Sequence, residues 1–261
     1  NLGYDRSDMM LHLVEACCEI GQLVSQKRKQ ISEKESIVKS IANWMMICGK
    51  VGVKSVSDML WLKFPYVCPY CYEAPHRQDD CVNNKKRRQA PDWKHLRAIA
   101  EKHANKRPSS LGAWQRMFAE IYPVSQSEIE FGPTFARLME ELGELATAIR
   151  LFEVESDQFL YEAADLFAWL MRIPNIIDQK HQVSKRMRGR WLETAFLQAY
   201  PGNCLICGHV ICDCSRVQPR PASQVSGKQQ QQKRAMDRNT MFMTPDQART
   251  FFAPSSVAKR S

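Results

Sequence analysis

One helix constrains this chain more than any other feature. Phe159-Leu160-Tyr161-Glu162-Ala163-Ala164-Asp165-Leu166-Phe167-Ala168-Trp169-Leu170-Met171 is apolar on every side except at Glu162 and Asp165. A helix of that kind is expected to be buried. Two acids on it cost several kcal/mol, roughly, unless something compensates them. No Lys or Arg stands three or four residues from either acid, so a divalent cation is the simplest compensation. Glu141 and Glu144, also spaced i, i+3, share one face of the preceding helix. Taken alone, that pair reads better as an ordinary surface pattern, since E-x-x-E is common on helices. Together, the four acids on two antiparallel helices form a hard oxygen site suited to Mg²⁺ or Mn²⁺.

The same pattern occurs earlier in the chain. With an offset of 122, Glu19 falls on Glu141, Gly21 on Gly143, Gln22 on Glu144, Leu23 on Leu145, Ser40 on Glu162, Ala42 on Ala164 and Asn43 on Asp165, without a gap. A C-x-x-C follows each copy, Cys68/Cys71 after the first and Cys204/Cys207 after the second. This reads as a duplicated helical pair with a metal loop, against the alternative of chance similarity between amphipathic helices. Three of the four acids are missing from the first copy, so it reads as a silent half. Periodicity predicts helices over 8–30, 36–49, 55–63, 92–105, 111–121, 126–152, 156–173 and 184–199, with no strand-rich run. The expected fold class is all-α, as tandem helical-bundle repeats with small metal-bound loops. The expected boundaries are 1–64 (silent half), 65–91 (zinc loop and basic linker), 92–200 (active half), 201–214 (second zinc loop) and 215–261 (tail).

Glu140-Glu141-x-x-Glu144, a spacer of 17 residues and Glu162-x-x-Asp165 resemble the MazG-like, all-α nucleoside triphosphate pyrophosphohydrolases. Trp114-x3-Phe118-x2-Ile121-Tyr122-Pro123 is similar to the lead-in helix of some members. The resemblance covers about residues 111–173, and 9–50 in degenerate form. It implies a four-helix architecture and Mg²⁺ held by Glu141, Glu144, Glu162 and Asp165. It also implies cleavage of a (d)NTP between the α- and β-phosphates, giving monophosphate and pyrophosphate. In such chemistry the metal polarises phosphate oxygens and helps generate the nucleophile, and Glu141 or Glu144 would orient the attacking water. Arg150, Arg172, Lys185 and Arg186 are candidates to meet the remaining phosphate charge. Family members often complete a bundle as homodimers. Here the silent half would serve as a built-in partner, with homo-oligomers still open.

The cysteines carry a separate signal. Cys68-x2-Cys71-x4-His76-x4-Cys81 has the spacing of a CCHC zinc site. Cys204-x2-Cys207-x4-Cys212-x-Cys214 offers four thiolates, with His209 as a substitute ligand. One shared site built from Cys68, Cys71, Cys204 and Cys207 is the alternative. Structural Zn²⁺ is expected in either case, because neither pair follows a strand of a thioredoxin-like unit. Cys17, Cys18 and Cys48 read as inert core thiols.

Charge is uneven. The chain carries +9, and residues 215–261, with nine Lys or Arg and two Asp, hold +7 of it. Prolines and Gln229–Gln232 in that segment suggest a disordered basic tail. Lys85-Lys86-Arg87-Arg88, then Lys94, Arg97, Lys102, Lys106 and Arg107, with Trp93 nearby, support a second reading. In it the protein is a zinc-containing nucleic-acid binder with a vestigial hydrolase core. A solvated linker and helix face explains the same charges, and aromatics are not interleaved as single-strand binders require. No apolar run approaches the roughly 18 residues of a membrane span, and no export signal is visible, so a cytoplasmic location is expected.

Overall fold

The computed structural model describes residues 5–24, 33–77, 81, 91–125, 131–153 and 156–201. Cys204, Cys207, Cys212, Cys214, His209, the Lys85–Arg88 run and the tail lie outside them. The described residues are all-α, with no strand. In chain order the helices are α1 (Arg6–Val24), α2 (Glu33–Lys50), α3 (Val56–Lys63), α4 (Trp93–Lys102), α5 (Leu111–Ile121), α6 (Phe131–Arg150), α7 (Ser156–Lys180) and α8 (Arg190–Ala199), with a 3₁₀ turn at Ala104–Lys106. None is long and apolar enough to cross a membrane.

Short polar side chains start the small helices. Ser55 accepts a hydrogen bond from the Asp58 amide at 3.1 Å, Asp92 from His95 at 3.0 Å and Ser110 from Ala113 at 3.3 Å, each satisfying an otherwise orphaned N–H. Four long helices form a ring. The hairpin α1–α2 packs on the hairpin α6–α7, with α2 against α7 and α1 against α6. Trp44 of α2 lies fully buried at this junction. Its indole N–H donates to the Ala163 carbonyl of α7 at 2.9 Å, and its ring meets Phe167 at 4.6 Å. The two hairpins therefore share one apolar core.

Among the described residues, two helix boundaries depart from the sequence expectation by more than three residues. α7 runs past Pro174 to Lys180 instead of stopping at 173. α5 anchors the turn beyond the proline. Gln115 donates to Asn175 at 3.1 Å and to Asp178 at 2.8 Å, and Asn175 donates back to the Gln115 carbonyl at 3.2 Å. Trp191 adds a 2.7 Å bond to the fully buried Asp178. Tertiary partners here outweigh the intrinsic penalty of an interior proline. At the other boundary, α8 begins at 190 rather than 184, because Gly189 adopts φ 82°. A side chain there would be strained and would come within 2.5 Å of the Gly112 carbonyl.

Candidate metal centres

Antiparallel packing explains why the acids meet. α6 ends at Arg150 and α7 begins at Ser156. Glu144 and Glu162 each lie six residues from those ends, and Glu141 and Asp165 each lie nine. At about 1.5 Å of rise per residue, the partners stand at matching heights. Glu141, Glu144 and Glu162 each bring a carboxylate oxygen within 4.8 Å of the others. Glu162 is buried, Glu141 half-buried and Glu144 exposed, so the cluster opens towards solvent on the Glu144 side.

The electrostatics match that crowding. Burial pushes the Glu162 carboxyl up to about 7, and Asp165 and Glu144 add to the effect while Lys63 opposes it. Glu144 also shares a hydrogen bond with Glu162, and Gln158 donates to Glu162 Oε1. Burial likewise raises Glu141 to about 7, with Asp165 and Glu144 contributing. Glu141 Oε2 is buried without a hydrogen-bond partner among the described residues. An orphaned carboxylate oxygen aimed among other carboxylates is the donor set a hard divalent cation needs.

Asp165 is placed differently from the expectation. It pairs with Lys63, the last residue of α3. Lys63 also donates to the Tyr161 carbonyl at 3.1 Å, and its side chain is only 4% exposed. The compensation absent within α7 comes from an element about 100 residues earlier. The one sequence signal was a lysine between Leu62 and Phe64 at the end of an apolar helix.

The candidate phosphate ligands are spread along the helices. Arg172 donates to the Tyr122 and Pro123 carbonyls, at 2.6 and 3.2 Å. It lies ten residues, or about 15 Å, along α7 from Glu162. Lys185 and Arg186 are exposed in the turns that follow α7, whose end at Lys180 lies about 27 Å along the helix axis from Glu162. Arg150 is exposed and donates to Thr147 at 3.3 Å. Among the basic residues of the second reading, Arg107 is tied to Asp58 and Ser57. Trp93 stacks on Tyr161 at 4.2 Å.

The second centre lies between α3 and α4. Cys68, Cys71 and His76 bring ligand atoms within 4.8 Å of one another and could hold an ion such as zinc. Cys68 and Cys81 sulfurs are 3.8 Å apart, and Cys71 Sγ is 3.8 Å from His76 Nδ1. A tetrahedral zinc with bonds of about 2.3 Å to sulfur separates two sulfurs by about 3.7 Å. Backbone amides support the sulfurs: those of Cys71 and Tyr70 face Cys68, and those of Arg77 and Glu73 face Cys71. Tyr72 holds a left-handed φ of 61° directly after Cys71, a conformation a non-glycine residue keeps only when its surroundings enforce it. His76 N–H donates to the Ile121 carbonyl at 2.7 Å, fastening the loop to α5. The two centres share a wall. Burial raises the Tyr70 and Tyr122 hydroxyls, and both lie close enough to Cys68 and Asp165 to be raised further by them. Compared with family models, curated proteins and solved structures, the chain matches none of them.

Proposed function

We propose that this protein is a MazG-like, divalent-metal-dependent nucleotide pyrophosphohydrolase that splits the α–β phosphoanhydride of a (d)NTP into monophosphate and pyrophosphate. The convergence of Glu141, Glu144 and Glu162 within 4.8 Å carries this reading. The buried, unpartnered Glu141 oxygen supports Mg²⁺ or Mn²⁺ as the occupant. Bound there, the ion would polarise phosphate oxygens and lower the pKa of a nearby water. Glu162, buried and fixed by Gln158, is the rigid ligand. Glu144 is at the open edge, where a triphosphate would approach. Glu141 or Glu144 orients the attacking water. The Cys68, Cys71, His76 and Cys81 group is assigned as a closed structural zinc site. It fixes the loop that follows Lys63.

The test is a panel of NTPs and dNTPs with Mg²⁺ or Mn²⁺, with separation of products. Monophosphate plus pyrophosphate, lost in a folded Glu162→Ala variant, is the expected result. No turnover of any nucleotide, or full turnover in that variant, contradicts the proposal.

A further inference from the structure

We propose that Lys63 serves as a built-in cation that takes the place of a second metal ion, so that the protein alone holds one divalent cation, on Glu141, Glu144 and Glu162, with Asp165 held out of the ligand set. This inference rests on the metal-dependent reading above.

Lys63 has the attributes of a placed charge. Its side chain is 4% exposed, against 26% for Asp165. Its ammonium is bound on two sides, by the Asp165 carboxylate and by the Tyr161 carbonyl. The helix that carries it is itself fixed. Trp61 donates to the Ala100 carbonyl at 3.3 Å, and Arg107 clamps Asp58 and Ser57. A buried lysine held in this way loses little further side-chain entropy, unlike a surface partner.

The position opposes a second ion. The Asp165 Oδ2 atom is taken by the ammonium, so a metal ligated through that oxygen would have to displace Lys63, and two cations at contact distance in a poorly solvated site repel strongly. Charge balance agrees. Four carboxylates with Lys63 carry −3 when ionised. One divalent cation brings the cluster to −1, and two would make it positive before any substrate metal arrived. Asp165 is accordingly absent from the trio whose oxygens converge. In the first copy, Lys39 plays a comparable part at Glu19, at 2.7 Å. That lysine belongs to the repeat itself, whereas Lys63 lies outside it.

The test is Mn²⁺ titration of the full zinc-loaded chain without nucleotide, followed by electron paramagnetic resonance. The wild-type protein is expected to bind one Mn²⁺ with an uncoupled six-line spectrum. Lys63→Met is expected to bind two, with the exchange coupling of ions about 3.5–4 Å apart. Should that variant fail to fold, the double variant Lys63→Met/Asp165→Leu removes both partners and is expected to retain one Mn²⁺ at an affinity within about threefold. A coupled pair in the wild type, a single ion in folded Lys63→Met, or loss of Mn²⁺ from the folded double variant overturns the inference while leaving a metal-dependent enzyme intact. No Mn²⁺ on any folded form removes the metal reading as well.

Discussion

The two helical hairpins answer the same four positions in opposite ways. In α1–α2, Glu19 pairs with Lys39, Ser40 donates to the Ser36 carbonyl at 2.9 Å, and Asn43 donates to the His12 carbonyl at 2.9 Å. Three neutral side chains, Gln22, Ser40 and Asn43, and one paired acid leave little charge to neutralise. In α6–α7 the equivalent residues are all carboxylates, raised in pKa where they are buried, with a single lysine among them. The lesson is energetic. A buried polar position can be satisfied by neighbouring backbone at almost no cost, or it can retain charge and require a cation.

The sharpest way to break this comparison is to mutate matching positions. Glu162→Gln is expected to lower nucleotide turnover by at least about a hundredfold, as removal of a group acting on developing charge does. Ser40→Ala, at the equivalent position, should change it less than about twofold. Initial rates on matched, folded proteins decide the point. The reverse graft is next. Ser40→Glu with Asn43→Asp should destabilise the protein by about 3–5 kcal/mol in urea unfolding, because it buries charge without compensation. Mn²⁺ should not restore it, since Gln22 stands where Glu144 stands in the other half. Restoration would show that the first hairpin can also be a metal site.

The paired glycines give a smaller contrast. A Cβ on Gly21 would sit 2.3 Å from the Phe135 ring, whereas Gly143 has open space. Gly21→Ala is expected to cost about 1–3 kcal/mol through overpacking. Gly143→Ala should gain up to about 1 kcal/mol from helix propensity. Equal effects would mean that the hairpins are packed alike. A pH series provides the last contrast. Glu141 and Glu162 have folded pKa values near 7, above the ordinary 4.5. Their contribution is therefore full below about pH 4.5 and is lost as pH rises through 7. Without metal, the melting temperature should fall over that interval. Mg²⁺ should recover it most at the alkaline end, where the carboxylates are free to bind.

Much of this was legible from period and spacing. The acids of α7 announce themselves because they stand on an otherwise apolar helix, and the i, i+3 spacing of both pairs fixes the shared faces; Glu141 and Glu144 gain meaning only beside them. Cys68, Cys71, His76 and Cys81 are legible for the same reason, as ligand spacing over a short loop. Lys63 was not, because its partner is remote in sequence and local spacing rules see only one helix at a time. The run of α7 past Pro174 was hidden likewise, since Gln115 and Trp191 hold Asn175 and Asp178 from other helices. The distance of Arg172 from the acids was hidden too, since a helix rising about 1.5 Å per residue puts it about 15 Å along α7 from Glu162.

Crystals soaked in Mn²⁺ and measured at the manganese edge test the central claim most directly. The expected result is one anomalous peak, bounded by Glu141, Glu144 and Glu162, and none among Glu19, Gln22, Ser40 and Asn43. An empty acid cluster, with those three carboxylates turned outward, would contradict it.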